Sequence, residues 1–177
     1  MGKKSTKTDK NIYFQIRDEL NLTRAQAADL MKTVSESRLE KIEYGDTEPQ
    51  AEDIMEMAQA YKRPDLINYY CAHECAIGRQ SIPEVKLHSL SEITLKTLAS
   101  LNDLEKKKDR MIEITADGEI TEDEYEDFAR IQDQLQKISM GVEALKLWIN
   151  NAIANGGIDQ NKLNKVKENL GFDSNII

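Results

Sequence analysis

The chain has 177 residues, with 24 Lys and Arg against 32 Asp and Glu, for a formal net charge of −8. Eight Gly and three Pro are too few for the turns of an all-β protein, and no apolar run reaches the roughly 20 residues of a membrane span. The acidity argues against indiscriminate coating of nucleic acid but leaves room for a local DNA-reading face.

The reading is all-α. The charge is unevenly spread: residues 1–10 carry +3, residues 11–79 carry −5 and residues 80–177 carry −6. The opening MGKKSTKTDK has no apolar stretch behind its lysines, so it reads as a basic flexible arm and not as a secretory leader. Two cysteines then suit reduced thiols in a cytoplasmic protein. Two Pro-flanked joints, YGDTEP at Gly45–Pro49 and AIGRQSIP at Ala76–Pro83, divide the chain. The expected domains are the arm 1–10, a domain of short helices 11–79, a long helical hairpin 80–157, and a short helix with tail 158–177.

In chain order, Ile12, Phe14, Ile16 and Leu20 anchor a first helix over about Asn11–Leu20. Thr23 is an N-cap for a second helix, TRAQAADLM, whose Ala27, Ala28, Leu30 and Met31 make a close-packing face. After a break at Lys32–Thr33, Ser35 caps a third helix running to Tyr44, with Leu39 and Ile42 inward and Gly45 as its left-handed stop. A fourth helix, Gln50–Tyr61, turns Ile54, Met57 and Ala58 inward, and a fifth, Pro64–Cys75, turns Leu66, Ile67 and Tyr70 inward.

The stretch LTRAQAADLMKTVSESRLEKIEYGDTEP followed by AEDIMEMAQAY, within about residues 11–70, resembles the Xre (Cro/CI, lambda-repressor-like) helix-turn-helix family. Val34 and Ser35 open the recognition helix, Leu39 and Ile42 anchor it, Gly45 follows Glu43 by two residues, and Pro49 precedes the helix carrying Met57 and Ala58. The resemblance implies a five-helix DNA-binding domain whose second helix crosses the backbone and whose third enters the major groove. It places Glu36, Ser37 and Lys41 toward base edges, with Ser35 at the helix start and Arg38 in reach of a base or a phosphate. Arg24, at the start of the second helix, is placed to hold a phosphate with help from the helix dipole. Lys3, Lys4, Lys7 and Lys10 would wrap the duplex as an arm.

Two features depart from the family. Lys32 stands where a turn Gly is usual, and the break looks one residue longer. The recognition helix carries Glu36, Glu40 and Glu43 against Arg38 and Lys41. A Glu can accept from cytosine N4 but repels phosphates. Two main function classes therefore stand, beside a weaker third, a metal or thiol sensor working through Cys71 and Cys75. One is a sequence-specific regulator of transcription bound to double-stranded DNA. The other is a non-enzymatic adaptor that keeps the fold and binds a protein partner.

Cys71, His73 and Cys75 are weak metal candidates. On a helix the two cysteines share a face and His73 points about 200° away, so the plainer reading is two small thiols and an exposed His.

Beyond the second joint, Phe128, Ile131, Leu135, Ile138, Val142, Leu145, Ile149 and Ala152 step by three and four in a heptad seam, as in a coiled coil. A less regular segment, Ser89–Ile114, is interrupted at Lys106–Lys108. Two such helices joined by a short turn make an antiparallel hairpin. The apolar residues left over, with Leu147 and Trp148, suggest a homodimer whose hairpins form a bundle and set half-site spacing.

The connecting EITADGEITEDE has the length of a calcium loop. Its first and third positions are Glu113 and Thr115, and Gly118 as a helix stop with Thr121-x-x-Glu124 as a capping box accounts for it more simply. Asp159–Leu170 suits one more short helix. No nucleophile motif or phosphate loop is present, so no catalysis and no cofactor is expected.

Overall fold

The computed structural model describes residues 10–172. These residues form ten α-helices and no strand. They are α1 (Ile12–Glu19), α2 (Arg24–Asp29), α3 (Glu36–Tyr44), α4 (Ala51–Tyr61), α5 (Asp65–His73), α6 (Gly78–Ser81), α7 (Leu90–Glu105), α8 (Lys108–Thr115), α9 (Tyr125–Ala154) and α10 (Gln160–Asn169). The chain parts into two compact units between Ile82 and Pro83.

In the first unit, local chemistry sets the helix ends. Asn11 caps α1 by accepting from the Phe14 amide at 3.1 Å. Thr23 and Gln26 form a reciprocal capping box on α2. Ser35 caps α3 by accepting from the Arg38 amide. Gly45 ends α3 at φ 72°, a conformation that costs a residue with a Cβ more than it costs Gly.

The helices close over one core built from Tyr13, Ile16, Leu39, Ile42, Ile54, Met57 and Leu66, with Ala27 and Val34 at the tight contacts. Each large aliphatic side chain among them contributes about 1.5–3 kcal/mol on burial. Three inward expectations fail. Leu20, Leu30 and Ile67 are exposed, because α1 ends at Glu19 with Leu20 as its cap, α2 ends at Asp29, before Leu30 could complete its inner face, and α5 buries Leu66.

In the second unit, the segment expected over Ser89–Ile114 is broken at Lys106–Lys107 into α7 and α8. Helices α7 and α9 run antiparallel, since Gln134 Nε2 of α9 donates to the Ser100 carbonyl of α7 while Gly141 faces Thr97. A Cβ at Gly141 would lie 2.5 Å from Thr97 Oγ1, so only glycine lets the helices approach this closely. Arg110 of α8 reaches Asp127 of α9 at 2.7 Å.

The heptad seam of α9 does not coincide with the face that α9 buries. Ile131, Gln134 and Leu147 are its buried residues, while Phe128, Leu135, Val142 and Leu145 stay exposed. Leu147, expected among the leftover apolar residues, is therefore interior, and Trp148 is half-buried. The α8–α9 connection is closed by protein contacts: the Glu124 carboxylate accepts from both the Thr121 amide and hydroxyl, and Gly118 adopts φ 77°.

Candidate nucleic-acid interface

The second and third helices stand at the surface of the first unit, held from behind by three polar devices. The first is centred on Glu43, whose side chain is fully buried. It accepts a two-pronged bond from Arg17 of α1, the Nη2 contact being 2.8 Å. Arg24 Nε of α2 adds a third bond at 2.8 Å. Arg17 Nη1 also donates to the Leu22 carbonyl at 2.6 Å. One carboxylate thus fixes α1, the entry to α2, and α3 against one another.

The second device locks the far side of α3. Arg38 makes a two-pronged ion pair with Asp53 of α4, with Nε to Oδ1 at 2.6 Å. Asp53 also accepts from the Gln50 amide at 2.7 Å, capping α4. Burial alone would raise the Asp53 carboxyl, but the bonds from Arg38 and Gln50 outweigh it and hold it below the ordinary carboxylate range.

The third device holds the turn between α2 and α3. Glu56 of α4 accepts from the Lys32 amide at 2.8 Å, the Thr33 amide at 2.9 Å and the Thr33 hydroxyl at 2.9 Å. These bonds, the Thr33 amide first, hold the Glu56 carboxyl below its ordinary value. The turn that lacks the usual glycine is satisfied by a carboxylate from another helix. Asn11 adds a fourth tie, its amide donating to the Ile42 carbonyl at 2.7 Å.

The Glu56 clamp makes a pH prediction. A carboxylate held below its ordinary value contributes stability that is complete above the unfolded pKa, and this is lost as pH falls through the folded one. The Lys32 and Thr33 amide resonances are therefore expected to titrate together at a pH below the ordinary glutamate range. Glu56→Gln should abolish the transition. Amide shifts that move at the ordinary glutamate pKa would contradict the clamp.

With its rear so fixed, α3 shows Glu36, Ser37, Glu40 and Lys41 to solvent. At 100° per residue these four occupy one stripe about 140° wide, opposite Leu39 and Ile42. Lys41 is exposed on this stripe. Ser35 is exposed at the helix start as its cap. Arg24 is turned along the surface, pairing with Glu40 at 3.2 Å and with Glu43, its guanidinium 4.9 Å from the Tyr44 ring centre. Arg24 and Arg38 are thus already engaged with carboxylates of the fold, and Glu36 and Lys41 carry the stripe's remaining charge. Lys3, Lys4 and Lys7 lie outside the described residues, and Lys10 sits 4.3 Å from the Phe14 ring centre.

Sequence reading placed Glu36, Ser37 and Lys41 on one surface but missed Asn11, Asp53 and Glu56, whose partners lie far away in the chain. The only local signal was the capping position of Asp53, three residues after Gln50.

The cysteine cluster does not converge. Cys71 lies on α5 with burial raising its thiol, whereas Cys75 lies beyond the helix, its thiol lowered by the Gly78 and Ile77 amides. His73 packs on Tyr69, ring centres 4.6 Å apart. Among the described residues no group of three or more His, Cys, Asp or Glu side chains is placed to hold a metal ion, and no helix is long and apolar enough to cross a membrane.

Comparison with known proteins found a match to the helix-turn-helix family model over residues 14–65, which spans α1–α4 and the start of α5. No curated protein and no solved structure matches the chain. Residues 14–65, under a third of the chain, thus form a helix-turn-helix domain.

Proposed function

We propose that the protein is a sequence-specific regulator of transcription that lays α3 in the major groove of double-stranded DNA. The observation that carries this reading is the exposed stripe of Glu36, Ser37, Glu40 and Lys41 on a helix locked from behind by Glu43, Asp53 and Glu56. Rigid backing of this kind is what base readout requires, because a bidentate contact is lost when the helix shifts by about 1 Å. Lys41 suits guanine O6 and N7 or a phosphate, Ser37 suits either kind of base edge, and Glu36 or Glu40 can accept from cytosine N4. Such chemistry favours a site containing G·C pairs. A second copy of the chain would supply a second α3 for a half-site about 34–36 Å away.

Electrostatics restrains the affinity. With Arg24 and Arg38 held by carboxylates, Lys41 is the cation of the α3 stripe left to meet a phosphate, and the reading adds contacts from the arm lysines Lys3, Lys4 and Lys7. Four such contacts give a slope of log K against log salt of about −4 per copy.

The same acidity favours the second reading, an adaptor whose helix-turn-helix surface meets a basic protein segment. The discriminating experiment is retention of fragmented source-genome DNA by the full chain over a salt series. The regulator reading expects a small set of fragments retained at moderate salt with that shallow slope. Uniform or absent retention at low salt would move the assignment to the adaptor.

A further inference from the structure

We infer that the exposed leucine face of the α7–α9 pair is the surface on which a second copy of this chain docks, giving a four-helix homodimeric bundle. This names the partner surface that the two-half-site reading calls for, but it stands on observations in the second unit alone.

The register of the two helices identifies the face. Interior contacts run from Ile93, Thr97 and Ser100 of α7 to Gln134 and Gly141 of α9. At 100° per residue, Leu90, Leu98 and Leu101 lie on one flank of the α7 contact line. Phe128, Leu135 and Val142 lie on one flank of the α9 contact line. Because the helices are antiparallel, these two flanks open on the same side of the pair.

The opposite side is occupied. There Lys96 and Ala99 of α7 and Lys137, Met140 and Ala144 of α9, with the segment 84–88 laid along them, line a cavity of about 550 Å³. Chain thus lies along the length of one side of the pair, while on the leucine side α8 borders only the stretch at Phe128, Ile131 and Leu135.

Three features select a second copy as the occupant. The first is area. Leu90, Leu98, Leu101, Phe128, Leu135, Val142 and Leu145 are each 37–51% exposed. Together they offer roughly 500–600 Å² per copy, so pairing two copies removes about 1,000–1,200 Å², the lower bound of a specific interface before any flanking residue is counted.

The second is composition. In a chain with 32% charged residues, Thr94, Gln132 and Ser139 lie between these side chains, and the charges on the stripe, Glu105 and Lys146, stand toward its two ends, Glu105 paired with Lys108 at 2.9 Å. Lys146 is likewise paired, with Glu143 at 3.0 Å. An interface core is depleted of charge in just this way.

The third is pattern and shape. Of the exposed members of α9, Phe128, Leu135 and Val142 recur every seven residues, the heptad interval at which one helix meets another knob-into-hole. Between α8 and α9, Met111, Ile114, Phe128, Ile131 and Leu135 line a cavity of about 140 Å³, which shares Phe128 and Leu135 with the face and suits one incoming aliphatic side chain.

The test uses sedimentation equilibrium of the full chain, with helical circular dichroism and the single Trp148 reporting folding. The wild type is expected at twice the 20.2 kDa chain mass at micromolar concentration. Leu98→Glu and Leu135→Glu, at exposed sites, should each keep native helix content and raise the dimer dissociation constant about 100-fold or more. Met140→Glu, equally exposed on the opposite side, should leave the dimer intact. A wild type that sediments as one chain, or variants at Leu98 and Leu135 that stay paired, would overturn the proposal. Met140→Glu dissociating the dimer as strongly would also overturn it, by moving the interface to the other side. Failure of DNA retention would leave this result untouched, because the masses are measured without DNA.

Discussion

Glu43→Gln is expected to destabilise the amino-terminal unit by about 3–5 kcal/mol, the cost of leaving a buried charge without its counter-ion. The glutamine keeps the shape but removes the charge that Arg17 and Arg24 share, and the Arg17 side chain is only 8% exposed. Against a total domain stability of about 5–15 kcal/mol, that is a large fraction. For a unit of this size it corresponds to a fall in melting temperature of about 12 °C or more. Circular dichroism reads this transition, while Trp148 fluorescence follows the other unit. The double variant Arg17→Met, Glu43→Leu should recover most of the loss, since removing both buried partners is far cheaper than removing one. A melting temperature unmoved by Glu43→Gln would mean that the three-way contact does not hold α1, α2 and α3 together.

Lys41→Glu is the second large effect, and it acts on binding alone. Lys41 is exposed on α3 and its removal leaves no buried group unpaired, so the fold should be unchanged. On a duplex recovered from the genomic retention experiment, losing one base or phosphate contact costs about 1–3 kcal/mol. Charge reversal beside the phosphates adds to that, for an expected affinity loss of about 100-fold. Lys41→Gln should fall between wild type and Lys41→Glu and flatten the salt slope by about one. Titration by fluorescence anisotropy gives all three values. Equal affinity for wild type and Lys41→Glu would place α3 outside the groove.

The two effects separate because α3 has two differently built sides, and only one of them was readable from sequence. The caps at Thr23, Ser35 and Gly45 are local chemistry, and they mark three helix ends correctly. The outward placing of Glu36, Ser37 and Lys41 came from the family resemblance, while the periodicity turned Leu39 and Ile42 inward. The clamps were not legible. Glu56 bonds to residues 23 and 24 positions away and Glu43 to residues 19 and 26 positions away, and nothing in the spacing of a surface-type residue announces a partner across the fold. Arg24 and Arg38 read as cations available to DNA for the same reason, since their carboxylate partners lie on other helices.

The second unit teaches a related lesson. The heptad seam of α9 was plain in the sequence, but periodicity marks apolar positions without saying which neighbour covers them. Here α7 takes the side carrying Gln134 and Gly141, where a side-chain bond to a carbonyl and a missing Cβ permit close approach. Those residues look like flaws in a seam and are the contact itself. The break at Lys106–Lys107 likewise followed the interruption at Lys106–Lys108, though not the separate helix that resumes at Lys108.

The central claim, that α3 reads DNA sequence, is tested most directly by the ratio of affinities for a genome-selected duplex and a scrambled duplex of equal length at physiological salt. The account predicts a ratio of at least about 10³ for the wild-type chain, falling by as much as about 100-fold in Lys41→Glu. A ratio near one in the wild type would contradict it, and would assign the acidic surface of the helix-turn-helix to a protein partner.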